Sequence, residues 1–156
     1  MSAPRVVRVS ESQWRAFAML RLRALEDTLG GDDSQYRHEV TFTAAQWRRR
    51  LREHAQFALL VDDRMVGLIG AQRETLDSVY LYSLWLEPAV RHRGLAHHLL
   101  EAAVTWARDE RVKAVTLRVN TGNDAARSVY EGLGFAVDPA AARRRDGEVT
   151  MRLVVS

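Results

Sequence analysis

A chain of 156 residues with no cysteine and a net charge of +3 is most simply one domain, residues 1–156. It would bury roughly 70% of its unfolded surface, enough for a real core. Disulfides and thiolate chemistry are excluded. No apolar run is long enough to span a bilayer, and Met1-Ser2-Ala3-Pro4 leads into no signal-peptide core, so a cytoplasmic protein with no membrane partner is expected. Arginine greatly outnumbers lysine and forms two runs, Arg48-Arg49-Arg50 and Arg143-Arg144-Arg145. Acidic residues nearly balance the total and no DNA- or RNA-reading motif accompanies the runs. They read as a solvated helix face and a charged turn, with no nucleic-acid partner.

In chain order, Val6-Val7-Arg8-Val9 is an opening strand. Ser10 with Gln13 forms a capping box, and Trp14, Phe17, Ala18, Leu20, Arg21, Leu22 and Leu25 follow at helical spacing. Gly30-Gly31 stops that helix. Asp32 to Val40 is polar and has no clear period. Thr43 caps a second helix, with Trp47 and Leu51 one turn apart and the arginines facing water. Phe57 to Val61, Asp62-Asp63 and Arg64 to Ala71 form a hairpin signal, in which Gly67 and Gly70 suggest a bulge or a close backbone approach. A turn near Glu74 to Ser78 leads to a third strand, Val79 to Leu86, so the three strands form an antiparallel meander.

The pattern then changes. Leu95, Leu99, Ala103 and Trp106 share a helical face from about Gly94 to Arg108, and Val115, Leu117 and Val119 alternate with Thr116 and Arg118. Strand, helix and strand make a right-handed βαβ unit with parallel strands. A short helix from Asp124 to Leu133, capped by Asn123 and ended by Gly134, and a closing strand from Glu148 to Val154 complete the chain. The fold class is therefore α+β: a mixed sheet in which an antiparallel meander joins a parallel βαβ pair, with flanking helices.

Between the third strand and the helix stands Leu84-Trp85-Leu86-Glu87-Pro88-Ala89-Val90-Arg91-His92-Arg93-Gly94-Leu95-Ala96. The first turn of a helix has N–H groups without intrahelical partners, and its dipole adds positive charge. Arg91 and Arg93 add full charges, and Gly94 lets a ligand approach the backbone. This is a phosphate cradle, although neither a P-loop nor a dinucleotide fingerprint is present. His92, His97 and His98 cluster beside it. Two of them are adjacent on a helix, no carboxylate is counted at ligand spacing, and no metal is expected.

Arg91-x-x-Gly94-x-Ala96 resembles the Gln/Arg-x-x-Gly-x-Gly/Ala signature of GNAT-type N-acetyltransferases. Asn123-x-x-Ala126-x-x-x-Tyr130, followed by Gly134-Phe135, resembles their second signature. The resemblance is best over Arg64 to Phe135. It implies the GNAT-like acyl-CoA N-acyltransferase fold and acetyl-CoA as co-substrate. Pantetheine would lie against the backbone of Leu84, Trp85 and Leu86, where an N–H could stabilise the thioester oxyanion. The pyrophosphate would rest on amides of His92, Arg93, Gly94, Leu95 and Ala96, or as far as His97. Asn123 would hold the pantetheine arm, or only cap its helix. Tyr130 would protonate the leaving thiolate, or be a core aromatic. Direct attack by an amine in a ternary complex is implied, since no cysteine can carry the acetyl group. The base is not evident. Glu87 is named for it, against the alternative of an exposed turn carboxylate.

The acceptor is expected to be a primary amine of a small molecule. A protein or peptide amine, or a non-catalytic acyl-CoA sensor, are the alternatives. Relatives that acetylate ribosomal-protein N-termini carry a glutamate five residues before the motif asparagine, where this chain has Arg118, which counts against that subgroup. Acceptor choice is placed in Glu26 to Val40 and the turn at Glu74 to Ser78, where Glu26, Asp27, Asp32, Asp33 and Glu39 could meet a cationic acceptor or simply be solvated. A homodimer is expected by analogy.

Overall fold

A computed structural model describes residues 3–139 and 147–156, so the Arg143–Arg145 run lies outside the described residues. Seven strands form one mixed sheet in the order β1-β2-β3-β4-β5-β7-β6. They are β1 (Arg5–Arg8), β2 (Ala55–Val61), β3 (Arg64–Thr75), β4 (Ser78–Leu86), β5 (Ala114–Asn120), β6 (Ala136–Val137) and β7 (Glu148–Val154). The helices are α1 (Trp14–Leu29), α2 (Ser34–Glu39), α3 (Ala44–Glu53), α4 (Ala96–Asp109) and α5 (Asp124–Gly132). The described residues group into two compact units, Met1–Gly70 with Ser83–Ala103, and Ala71–Tyr82 with Val104–Ser156.

In the first unit the opening strand pairs antiparallel with β2, from Arg5↔Leu60 to Arg8↔Phe57. Ser10 and Gln13 make the expected capping box, around a 3-10 turn at Glu11–Gln13 that feeds α1. Thr43 Oγ1 accepts the Gln46 amide at 3.2 Å and caps α3. Phe17 and Trp47, 0% and 3% exposed, meet edge to face with ring centroids 6.0 Å apart. They anchor a core that also holds Leu20, Leu51, Leu68 and Trp85. A fully buried side chain of the Leu or Phe kind contributes roughly 1.5–3 kcal/mol, so these residues fix α1 and α3 in this unit. The stretch without a period does contain a helix. Asp33 Oδ2 caps α2 by accepting the Gln35 amide at 2.8 Å, and Glu39 at the helix end is 2% exposed. The α3 arginines do not all face water either: Arg50 Nη1 reaches Glu39 Oε1 at 3.4 Å.

In the second unit β4 and β5 are parallel, from Ser78↔Ala114 to Tyr80↔Thr116. β7 lies antiparallel to β5 along its whole length, Ala114↔Val154 to Asn120↔Glu148. The alternation of Val115, Leu117 and Val119 puts those residues in the core with Met151 and Phe135. Two-residue β6 pairs with β7, Ala136↔Arg152 and Val137↔Met151. It is too short to leave a period in the sequence.

Candidate functional site

The first unit holds the cradle. Gly67 of β3 sits so close to the end of β4 that an added Cβ would stand 2.6 Å from Leu86 Cδ2 and 3.1 Å from the Trp85 carbonyl. This is the close approach that its glycine suggested. Glu87 N–H donates to the Val66 carbonyl at 2.8 Å, and the chain leaves the sheet through a 3-10 turn at Pro88–Val90. Arg91 N–H donates to the Pro88 carbonyl at 3.3 Å, and His98 N–H to the Leu95 carbonyl at 3.1 Å. Among the described residues, the amides of 92 to 96 between them donate to no backbone carbonyl. Helix α4 starts at Ala96, two residues later than the apolar spacing indicates. Gly94 has φ +73°, with no atom within 4 Å of where a Cβ would be. His92 has φ 65°, the left-handed region in which glycine is at ease and a histidine is strained by about 1–2 kcal/mol. The loop therefore keeps a glycine-type turn with a histidine in it, and leaves a row of amides open for an anion.

Arg91 is not a free phosphate arm. Its Nε donates to the Leu86 carbonyl at 2.9 Å, its Nη2 to Asp27 Oδ2 at 2.7 Å, and its guanidinium lies 5.9 Å from the centre of the Trp85 ring. Trp85 Nε1 donates to the same carboxylate oxygen at 2.9 Å. Asp27 thus ties α1 to both the strand end and the loop. The Trp85 and Arg91 hydrogen bonds hold its carboxyl below the usual range. Arg93 is exposed and, with Arg64 and Leu95, lines a cleft of about 390 Å³ beside the loop. His97 Nε2 lies 2.6 Å from Glu101 Oε1, so one imidazole does have a carboxylate a turn away. Among the described residues no group of three or more such side chains could hold a metal.

Glu87 is not an exposed turn carboxylate. It is 8% exposed, bonded to Arg23 and with Oε2 2.7 Å from Arg64 Nη1. Burial alone would raise its carboxyl, but the two guanidiniums outweigh burial and hold it low. That makes it a poorer proton acceptor than an ordinary glutamate. Its place is that of an anchor for the turn into the cradle.

One strand residue upstream carries backbone strain. Ser83 has φ 57° within β4, a left-handed conformation that costs a non-glycine residue about 1–3 kcal/mol. Arg21 holds it, donating from Nη1 to Ser83 Oγ at 2.8 Å. The same guanidinium donates to Glu39, Nε to Oε1 at 3.1 Å and Nη2 to Oε2 at 3.2 Å. Around Ser83 opens a cavity of about 230 Å³ lined by Arg21, Ala24, Leu25, Thr28, Leu29, Gln35, Ser83, Leu84 and Trp85. The sequence held one signal for this network: Arg21 falls within the apolar spacing of α1, and a buried arginine needs a partner.

The second unit holds the second signature. Asn123 Oδ1 accepts the Ala126 amide at 3.1 Å, so it caps α5. Tyr130 is half-buried, and burial pushes its phenol up, keeping it protonated through the neutral range. Its ring meets Phe135 edge to face at 6.2 Å. Arg118 lies 5.0 Å from the centre of the Tyr80 ring, so that position of β5 carries a cation.

The sequence pattern of the Acetyltransferase (GNAT) family matches residues 13–135. The chain belongs to the GNAT acetyltransferase family. GNAT proteins are acyltransferases, and both signatures fall within the matched residues. The chain is 34% identical over 97 residues to the [ribosomal protein bS18]-alanine N-acetyltransferase of Salmonella typhimurium, covering 62% of each chain. The Escherichia coli K12 protein of the same name is 29% identical over 126 residues, 76% of this chain and 80% of that one. The PaiA N-acetyltransferase of Thermoplasma acidophilum, solved in complex with coenzyme A, superposes with a TM-score of 0.76 at 15% identity, over 99% of this chain and 100% of that one. At that identity the likeness shows the fold, and the mixed seven-stranded sheet with flanking helices is the GNAT one.

Proposed function

We propose that this chain transfers the acetyl group of acetyl-CoA to a primary α-amine at the N-terminus of a peptide or protein, by direct attack in a ternary complex. The observation that carries the donor half is the row of open amides from His92 to Ala96 behind a left-handed turn. Diphosphate oxygens accept from these N–H groups, with Arg93 as the nearby full charge. Pantetheine follows the backbone of Leu84 to Leu86, and an N–H there steadies the oxyanion as the tetrahedral centre forms. Tyr130, protonated at neutral pH, gives its proton to the departing thiolate. With its Oδ1 turned to the helix, Asn123 offers its amide N–H₂ to the pantetheine arm.

The acceptor half rests on which carboxylates are free. Glu39 is bound by Arg21, Gln35 and Arg50, Asp27 by Trp85 and Arg91, and Glu87 by Arg23 and Arg64. Asp33 caps α2. Acids spent on internal partners are poor bases for an alkyl ammonium, whose pKa is about 10.4. An α-amine, at about 7.7–8.0, is already partly neutral near pH 7.5 and needs less help. The alanine N-acetyltransferases among the relatives support the same choice over a small-molecule amine.

The test is thiol release from acetyl-CoA with peptides bearing a free α-amine, against the same peptides blocked at the N-terminus but carrying lysine. Free α-amines should be acetylated and blocked ones should not. Tyr130→Phe should lower turnover by about 10²-fold or more with acetyl-CoA affinity unchanged. Acetyl-CoA binding with no thiol release for any amine would make the protein a sensor and overturn the proposal.

A further inference from the structure

We infer that the cavity behind Ser83 is a side-chain pocket for the first residue of the acceptor, and that it takes an uncharged residue and rejects lysine. This rests on the peptide α-amine reading above and adds what that reading leaves open, the identity of the residue bearing the amine. The cavity borders Ser83, Leu84 and Trp85, the last two within the Leu84–Leu86 stretch assigned to the thioester. Its volume of about 230 Å³ is roughly that of seven waters at ~30 Å³ each, room for one residue rather than for an extended polyamine.

The chemistry of the walls decides the class. The floor is Ala24, Leu25 and Trp85, all 8% exposed or less, and the rim includes Leu29. One charged group faces in, Arg21, which is 5% exposed. Three of its five N–H groups are engaged, two with Glu39 and one with Ser83 Oγ. An ammonium would find no carboxylate in the lining and would meet the Arg21 charge. That costs more than the apolar contact returns. A neutral side chain loses nothing of this kind and covers Leu25, Leu29 and Trp85 from water. The reading in which acidic residues here meet a cationic acceptor loses two of its five groups, Glu39 and Asp27, which are spent within the fold.

The experiment uses one peptide sequence with Ala, Ser, Leu or Lys at position 1, under saturating acetyl-CoA. Ala, Ser or Leu should exceed Lys in kcat/KM by about tenfold or more. Leu29→Glu, at an exposed position that the core does not need, places a carboxylate on the rim. It should shift the preference toward the Lys peptide through KM, with the KM for acetyl-CoA unmoved. Direct calorimetric titration of the same peptides into the coenzyme A complex reads the pocket without turnover. A failure of acetyl transfer alone is therefore distinguishable from a failure of the pocket. Equal preference for Lys and Ala, or a Leu29→Glu profile identical to that of the unaltered chain, would overturn the assignment.

Discussion

Replacing Glu39 with glutamine tests the network that shapes the acceptor side. The substitution keeps the shape and removes the charge facing Arg21, whose side chain is 6% exposed against 3% for Glu39. Removing one partner of a buried pair leaves the other charge uncompensated and costs about 3–5 kcal/mol. For a chain of this size that is a fall in Tm of roughly 6–20 °C. The pH dependence adds a signature. Burial alone would raise the Glu39 carboxyl, but hydrogen bonds and charge from Arg21, with Gln35 and Arg50, outweigh it and hold the folded value low. The unfolded chain binds more protons between that folded value and the ordinary ~4.3, so stability rises with pH across the window. The contribution is complete above the unfolded value and is lost as pH falls through the folded one. Thermal melts of both proteins should therefore diverge most at neutral pH and converge in acid. Arg21→Met with Glu39→Leu, which removes both charges, should be less destabilised than Glu39→Gln alone. A loss below about 1 kcal/mol at pH 7, or a gap that does not narrow as the folded carboxyl is protonated on acidification, would refute a buried, charge-paired Glu39.

Two further substitutions separate the parts of the cradle. Asp27→Asn releases Arg91 and weakens the tie to Trp85, so the KM for acetyl-CoA should rise several-fold while kcat holds; steady-state kinetics with Asp27→Glu as a rescue reads this, and an unchanged KM would remove Asp27 from positioning the loop. His92→Gly keeps the left-handed turn and deletes the imidazole. Coenzyme A affinity should stay within about threefold if main-chain donors do the binding, and a larger loss by calorimetry would assign the contact to the side chain.

What could be read from the sequence was local. The loop glycine at the entrance of α4, the capping box at Ser10 and the Thr43 cap are signals written within a few residues, and the structure has each at its expected place. The α2 helix was not legible, because Ser34–Glu39 has no apolar period and depends on Asp33 at one end and buried Glu39 at the other. Glu87 was misread because its partners Arg23 and Arg64 stand 64 and 23 residues away. Arg91 looked like a ligand arm for the same reason, with its carboxylate 64 residues back on α1. A charge in a loop says little until the fold shows what answers it. Here most of the answering acids lie on α1 and α2, the stretch assigned to the acceptor, and their engagement turned the reading from a cationic acceptor to a neutral one.

The central claim is that open backbone amides at the entrance of α4 grip a diphosphate. Calorimetric titration of coenzyme A and of pantetheine, which lacks the diphosphate, tests it most directly. Two charge-assisted hydrogen bonds at about 1.5 kcal/mol each predict one saturable site for coenzyme A and binding of pantetheine weaker by about 100-fold. No measurable binding of coenzyme A, or equal affinity for the two, would contradict it.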